Sequence, residues 1–368
     1  MTSEHGAFFS AEDADSEGVE GKFYVWRPEE VKNVLGNEDG ELFCKTYDIN
    51  HKENFEGASI PNLIDSSIDE SKKDFFANCR KKLFMHREKR IHPHKDDKIL
   101  TAWNGLMIAA LATGGRVLKC NEYTEAAKKA AAFILKNLVD ENGRLLARYR
   151  DGDAACKAYI DDYAFLAWGL IELYQATFEP EYLEKALKLT EDSINLFWDH
   201  TGKGFFLYGN DSEELIIRPK EIYDGAMPSG NSVSAMNLIK LARLTGKYNL
   251  EEYAEDIFKA FSGSISLAPA SHSFALCAYM FMRHPAKELV IAGTKDKHDT
   301  ETMIDAIREG YKPFNNSLYY SQMYPELVKL VPFIENYKPI DGKTTVYICE
   351  NFACMAPITD PDILRQQL

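Results

Sequence analysis

Apolar positions in the middle of the chain recur with a helical period in three related segments, 102–138, 162–198 and 231–261. In each segment, a helix that is apolar nearly all round is followed by a short turn and then by a helix with one polar face. Tyr123 and Tyr182 occupy matching turns in the first two segments. A repeat of about sixty residues predicts helix pairs, each with a buried inner helix and a solvent-facing outer helix.

Helix pairs of this kind form one of two architectures. Inner and outer helices that alternate around an axis make an α/α toroid, whereas pairs that stack without closing make an open solenoid. The strong difference in polarity between the two helices of each pair favours the toroid. We therefore predict an all-α fold of the toroid class, with about nine helices through residue 283.

Short β elements are predicted between and after the helix pairs. Segments 141–153 and 200–211 alternate apolar and polar residues around turn residues, which is typical of β-hairpins, and segment 18–26 has the same pattern. Residues 285–368 contain three apolar runs that predict strands around one helix. We divide the chain into a toroid, 1–284, and a small α/β segment, 285–368, packed on it.

The charge and composition of the chain disfavour some classes of binding partner. The net charge of −14 disfavours nucleic acid and anionic membrane surfaces, and it suits a neutral or cationic ligand. No apolar run is long enough to span a bilayer, and the start of the chain has no signal-peptide pattern. Seven cysteines, an odd number, mostly lie in helical patterns and indicate reduced thiols in the cytoplasm. Met1 opens directly into a Gly/Ser/acidic segment, so we expect upstream sequence.

A polar cluster precedes each predicted inner helix, and another precedes the first hairpin. If the inner helices run parallel around an axis, these clusters meet at one mouth of the toroid. Carboxylates bind vicinal hydroxyls and aromatic faces stack on sugar rings, so the mouth suits a carbohydrate. Two carboxyls that flank a glycosidic bond also serve as acid and base or nucleophile. The candidate catalytic residues are Asp97, Asp162, Asp224 and His94. The candidate substrate-binding residues are Asp13, Asp15, Asp96, Trp103, Asn104, Tyr159, Asp161, Tyr163, Ser229 and Asn231.

Each of these side chains also has a structural interpretation. Asp, Asn and Ser at helix starts are ordinary N-caps, and acids in the first turn are favoured by the helix dipole. The doubled Asp161 and Asp162 exceed what one cap requires. No ligand spacing demands a metal, and we expect no cofactor. Cys349 and Cys354 have neither the CxxC redox spacing nor partner histidines for zinc, so we expect inert thiols.

Five blocks carry a resemblance to a known family: EDADSEGVEGKFYVW, PHKDDKILTAWNGLMIAALA, YIDDYAFLAWGLIELY, DGAMPSGNSVSAMNLIKLARLTG and YICENFACMAPITDP. They resemble the thioredoxin-domain-containing family related to spermatogenesis-associated protein 20. That resemblance implies an N-terminal thioredoxin-like domain followed by an (α/α)6 barrel similar to N-acylglucosamine 2-epimerases and six-hairpin glycosidases. From this resemblance we expect the chain to begin within the barrel region, without the thioredoxin-like part and without the first helices of the toroid. We expect the apolar edge left by absent helices to be covered by another chain or by self-association.

Two functions remain open at this stage, beside a degenerate fragment that retains only structural residues. The first is a glycoside hydrolase or sugar epimerase that acts through the carboxylates of the mouth. The second is a non-catalytic module that binds a ligand or protein and is partnered with a thioredoxin-like redox domain. No complete catalytic motif of either barrel type can be matched residue by residue in this sequence.

Overall fold

The computed structural model describes residues 1–52, 54–213, 216–294, 297–350 and 353–368. They divide into two compact units. The small unit is Ser10–Asp97, and the helical unit combines Met1–Phe9 with Lys98–Leu368. The domain boundary that the sequence suggested, at residue 284, lies inside the helical unit.

The small unit contains three helices and four two-residue strands. Strand β1 (Ala11–Glu12) pairs with β4 (Lys95–Asp96), and β2 (Asp15–Ser16) pairs with β3 (Val19–Glu20). The helices are α1 (Pro28–Leu35), α2 (Asn37–Thr46) and α3 (Lys73–Arg87). Their core includes Trp26, Val31, Phe43, Phe76 and Leu83. Proline at the first position of α1 suits a helix start, because that backbone nitrogen needs no intrahelical partner.

The helical unit contains the predicted helix pairs. Strand β5 (Ile99–Leu100) leads into α4 (Thr101–Leu118) and α5 (Asn121–Asn137), and a hairpin of β6 (Leu146–Arg150) and β7 (Asp153–Lys157) follows. The later helices are α6 (Ile160–Thr177), α7 (Pro180–Phe197), α8 (Gly230–Thr245), α9 (Asn249–Leu267) and α10 (Ser273–Arg283). Tyr123 and Tyr182 occupy the third position of α5 and of α7, so the repeat is confirmed.

Inner and outer helices differ in burial as the sequence predicted. Fourteen of the 18 residues of α6 are buried, whereas nine of the 18 residues of α7 are buried. The inner helices α4, α6, α8 and α10 pack on one another in that order, and α5, α7 and α9 each pack on the inner helix that precedes them. This alternation belongs to a helical toroid of the six-hairpin type, so the predicted fold class is confirmed.

Helices α4 and α6 approach closely because glycine lies on both sides of their contact. A Cβ atom at Gly105 would lie 2.5 Å from the backbone carbon of Phe165, and a Cβ atom at Gly169 would lie 2.7 Å from the carbonyl oxygen of Gly105. Neither distance is compatible with a side chain, so both positions require glycine. The small residues of these apolar helices thus allow the two helix backbones to come into contact.

Some local predictions need correction. The hairpin predicted at 141–153 is formed by β6 and β7, and β5 joins it in a three-stranded sheet. Segment 200–211 is not a hairpin: it consists of turns with one isolated bridge between Trp198 and Phe205. Through residue 283 the described part of the chain has ten α-helices, one more than expected. None of the helices in the described residues has the length and apolarity needed to cross a bilayer.

The C-terminal segment contains a four-stranded sheet. Its elements are β8 (Lys287–Ala292), α11 (His298–Arg308), β9 (Asn315–Tyr320), α12 (Pro325–Leu330), β10 (Thr345–Glu350), β11 (Ala353–Cys354) and α13 (Pro361–Gln367). The strand order is β11-β10-β8-β9, with β8 and β9 parallel. Cys349 and Cys354 form a disulfide across β10 and β11, so the expectation of two free thiols is wrong at this pair.

Candidate functional site

A carboxylate joins the first turns of α4 and α6. One oxygen of Asp162 accepts the backbone N–H of Ala102 at 2.9 Å, and the other accepts the N–H of Tyr159 at 2.8 Å. Both donors lie at helix starts, where backbone N–H groups have no intrahelical partner. Asp162 therefore ties two consecutive inner helices together at their N-terminal ends.

The inner helices α4, α6, α8 and α10 follow one another in a row, and the next two contacts along this row repeat the arrangement. Asp161 accepts the backbone N–H of Gly230, so it links the start of α6 to the start of α8. Asp224 accepts the N–H of Ser229 at 2.9 Å with one oxygen. Its other oxygen accepts the N–H groups of Phe274 and Ala275 at 2.8 and 3.0 Å, which links α8 to α10. The four inner helices of the helical unit thus begin at one shared end.

Burial changes the acidity of the adjacent pair Asp161 and Asp162. Burial raises the pKa of Asp162 to about 7, although the N–H groups of Tyr159 and Ala102 act in the opposite direction. Burial also raises the pKa of Asp161, against the N–H of Gly230, and the negative charge of Glu221 raises it further. These carboxyls therefore hold their protons to higher pH than an exposed aspartate does.

Four predicted ligand-binding residues are engaged inside the protein. The Asn104 side chain exchanges hydrogen bonds with the backbone of Phe8, and the Asn231 side chain does the same with Phe205. The Tyr163 hydroxyl accepts hydrogen bonds from Arg144 and the Leu145 N–H, and its ring is buried. Ser229 caps α8 by accepting the N–H of Ser232. Each of these polar groups stabilises the scaffold, so none presents a free side chain.

Exposed aromatic side chains lie at the same helix ends. Trp103 follows the Asp162-bonded Ala102 and is 41% exposed, and Tyr159, which precedes α6, is also 41% exposed. Tyr223 precedes Asp224 and is 57% exposed. Large aromatic surfaces of this kind are costly to leave in water, and they suit a partner that has an apolar face.

The remaining predicted residues belong to the small unit. The backbone N–H of Asp13 donates to the carbonyl of His94 at 2.8 Å, and Asp96 pairs with Ala11 between β1 and β4. Asp15 donates its N–H to the Asp13 carboxylate at 3.2 Å. Asp97 is the last residue of the small unit. Strand pairing of β1 with β4 therefore brings the backbone of Asp13 to that of His94 within the small unit.

Sequence reasoning missed Glu221. This residue lies in a segment without helix or strand, nine positions before Gly230, where α8 begins, and no periodic pattern marks it. Its carbonyl accepts the Asn231 side chain at 2.8 Å, which fixes its backbone, and its charge reaches Asp161. Within the described residues, no group of three or more His, Cys, Asp or Glu side chains is arranged to hold a metal ion.

Several solved structures are similar to this chain in part. Cellobiose 2-epimerase from Spirochaeta thermophila is 17% identical with a TM-score of 0.38, and the match covers 45% of this chain and 43% of that one. A family 105 glycoside hydrolase from C. acetobutylicum is 15% identical with a TM-score of 0.39, covering 68% and 67%. Likeness at this level assigns no activity to the chain.

Relatives are found along the whole sequence, although no family model matches it. Human spermatogenesis-associated protein 20 is 32% identical over 409 aligned residues, which cover 99% of this chain and 52% of the human protein. The mouse protein of the same name is 31% identical with the same coverage, and an uncharacterized protein of Caenorhabditis elegans is 29% identical. The chain spans about half the length of the relatives that it matches. The chain is therefore similar, almost from end to end, to about half of spermatogenesis-associated protein 20.

Proposed function

We propose that the helical unit binds a carbohydrate, or a similar polyol, at the N-terminal ends of α4, α6 and α8. Asp161 is the polar centre of this site, and the exposed faces of Trp103, Tyr159 and Tyr223 are its stacking surfaces. The observation that carries the proposal is the difference between Asp161 and its neighbours in the row. Asp162 and Asp224 use both carboxylate oxygens on backbone N–H groups, whereas Asp161 accepts one backbone N–H from the part of the chain that the structure describes.

The chemistry of Asp161 suits a hydroxylated ligand. Burial raises the pKa of Asp161, so this carboxyl holds its proton to higher pH than an exposed aspartate does. Its oxygens accept hydrogen bonds from hydroxyl groups, and the protonated form also donates one. Aromatic rings supply the apolar surface on which a sugar ring stacks. The net charge of −14 favours a ligand that is neutral or cationic.

Turnover of the bound sugar is a second candidate, and a specific observation favours it. Asp161 and Glu221 are neighbouring carboxyls in different environments, one partly buried with a raised pKa and the other exposed. Two carboxyls whose environments differ in this way can act as proton donor and base, as glycoside hydrolysis and epimerisation require. Binding without turnover would instead indicate the non-catalytic module.

A ligand screen tests the binding proposal. The full chain is heated with mono- and disaccharides of varied stereochemistry, and the shift of the unfolding midpoint is measured, followed by titration calorimetry on any sugar that shifts it. We expect at least one saccharide to bind, and Trp103→Ala to weaken it about tenfold through the lost stacking surface. Tyr123→Ala, at an exposed aromatic on outer helix α5, is the control and should leave affinity unchanged. The proposal fails if no saccharide binds.

A further inference from the structure

The disulfide between Cys349 and Cys354 closes a very short loop between two strands that are already paired. The two residues are directly opposite in the antiparallel pair of β10 and β11, and they are five positions apart in the chain. In the chain-entropy account, the stabilisation from a disulfide grows with the length of the loop it closes, so this loop is near the minimum. Hydrogen bonds of the strands already hold the same two positions together.

The two sulfur atoms differ in accessibility. Cys349 is 8% exposed and lies in the core, whereas Cys354 is exposed. Thiol–disulfide exchange requires a thiolate to reach one sulfur in line with the S–S bond, so access determines which sulfur is attacked. In this pair, an incoming thiolate reaches Cys354, and Cys349 becomes the leaving group.

Both cysteines line a cavity of about 530 Å³ between α8, α10 and the C-terminal sheet. Its wall combines apolar side chains such as Val290, Leu318 and Phe333 with the charged Arg243 and Glu288. Cavities of this size, with a few polar groups on an apolar wall, are typical of small-ligand sites. A low-molecular-weight thiol can therefore be accommodated beside the disulfide.

Two groups at this cavity are suited to a departing thiolate. The Tyr337 hydroxyl lies 3.5 Å from the sulfur of Cys349 and 3.4 Å from that of Cys354. Burial raises the pKa of Tyr337, so the hydroxyl keeps its proton and can donate it in a hydrogen bond. Arg243 donates hydrogen bonds to Glu251 and to the Met282 carbonyl, and its remaining nitrogen, Nη1, is buried with no hydrogen-bond partner among the described residues. Arg243 lines the same cavity as the two cysteines, and a cation or a hydroxyl donor in such a cavity favours the thiolate form of cysteine.

We propose that Cys349 and Cys354 form a thiol–disulfide exchange site for small peptide-like thiols that enter this cavity. A thiolate attacks the sulfur of Cys354, the bond between the two cysteines breaks, and the electron pair leaves on Cys349. A second thiolate then attacks the ligand sulfur of the mixed disulfide and releases Cys354. In total, two thiols are oxidised to one disulfide, and the protein pair gains two electrons and two protons.

The oxidised full-length chain, treated with reduced glutathione at about 5 mM, tests this proposal. The reaction is quenched with acid, free thiols are alkylated, and the peptide that holds both cysteines is analysed by mass spectrometry. We expect the native protein to pass from disulfide to dithiol, with a transient glutathione adduct on Cys354. A pair that stays oxidised until the protein is unfolded with denaturant would be a structural crosslink, and the proposal would be overturned. If both cysteines are already free thiols before glutathione is added, no disulfide is present to exchange, and the proposal is overturned as well.

Single substitutions test the assigned order of attack. In Cys349→Ser, the remaining Cys354 should form an adduct with oxidised glutathione at least about tenfold faster than Cys349 does in Cys354→Ser, because exposure controls the rate. Equal rates in two folded variants would contradict the assignment. If either variant fails to fold by circular dichroism, the site of the adduct in the wild-type chain decides the same question.

Tyr337 is proposed as a positioning residue, and it has a matched control. Tyr337→Phe removes the hydroxyl beside the sulfurs and should slow exchange several-fold while the thermal unfolding midpoint stays close to that of the wild type. Tyr347→Phe removes a neighbouring hydroxyl that donates to the Lys338 carbonyl, and it should leave the exchange rate unchanged. Equal exchange rates for the two variants would show that the Tyr337 hydroxyl has no part in the reaction.

Discussion

The backbone N–H of Ala102 donates a hydrogen bond to the carboxylate of Asp162 over 2.9 Å, although sixty positions separate the two residues. This separation is close to the length of the sequence repeat, so the bond joins equivalent ends of consecutive inner helices. The carboxylate lies at two helix N-termini, where the backbone dipoles favour negative charge. It is therefore a crosslink of the scaffold, and its neighbour Asp161 is the better candidate for contact with a ligand.

Substitutions of Asp162 and Asp161 should distinguish the carboxyl that stabilises the scaffold from the carboxyl that is proposed to bind a ligand. Asp162→Asn turns one acceptor into an amide donor that faces a backbone N–H, so we expect a loss of roughly 2–3 kcal/mol in the free energy of unfolding. Asp161→Asn keeps the single acceptor that Gly230 needs, so its loss should be below about 1 kcal/mol. Urea unfolding followed by circular dichroism measures both. Equal losses would contradict the distinction between the two carboxyls.

The raised pKa of Asp162 predicts a pH dependence of stability. Its pKa is about 7 in the folded protein, above the unfolded value near 3.9, so the folded state binds this proton more tightly. The resulting stabilisation is complete below about pH 4 and is lost as the pH rises through 7. At about 1.4 kcal/mol per pKa unit, the loss is roughly 4 kcal/mol. The unfolding free energy of the wild type, relative to that of Asp162→Asn at the same pH, should therefore fall from pH 4 to pH 8, because the variant lacks the titrating carboxyl. A constant difference would show that the carboxyl does not titrate in this range.

The contact between α4 and α6 predicts opposite effects for two glycine substitutions. Gly105→Ala places a methyl group against the Phe165 backbone and should cost at least about 2 kcal/mol, because neither backbone can move aside without disturbing the core. Gly263→Ala, on an exposed position of α9 with open space around it, should stabilise the protein by about 1 kcal/mol. Thermal unfolding of the two variants provides the comparison. Destabilisation by both would mean that helix contact is not the cause.

Away from the candidate site, a substitution in a buried charge cluster should lower the free energy of unfolding strongly. Burial alone would raise the pKa of Glu172, but Lys240 and Arg116 outweigh it and hold the pKa below its ordinary value. Glu172→Gln leaves two cations without their counter-charge and should cost about 3–5 kcal/mol. The control Glu191→Gln breaks an exposed pair with Lys247 and should cost less than about 1 kcal/mol. Denaturant titrations of both variants measure the contrast.

The sequence predicted the helix pairs because their pattern is periodic and local. Inner helix α6 is apolar on all sides and outer helix α7 has a polar face, and both features are visible in the residues themselves. Segment 200–211 was mistaken for a hairpin because turn residues with alternating polarity do not show whether a partner strand is present. Bridging of Trp198 to Phe205 replaced the expected ladder.

The sequence predicted where the acids of the inner helices lie but not what they contact. Doubled acids at helix starts pointed to a shared end, and Asp161, Asp162 and Asp224 do join successive inner helices there. Their hydrogen-bond partners could not be predicted, because the N–H groups of Ala102 and Phe274 come within reach of these carboxyls only when neighbouring helices pack together. Glu221 was missed for the same reason, since its relation to Asp161 depends on the path of an irregular segment.

The central claim is that a carbohydrate binds at the N-terminal ends of the inner helices, and a crystal structure of the full chain with the best saccharide from the screen tests it most directly. The account predicts density for a sugar ring against Trp103, Tyr159 or Tyr223, with a hydroxyl within hydrogen-bond distance of Asp161. A saccharide bound at any other surface of the chain, with these helix ends unoccupied, would contradict it.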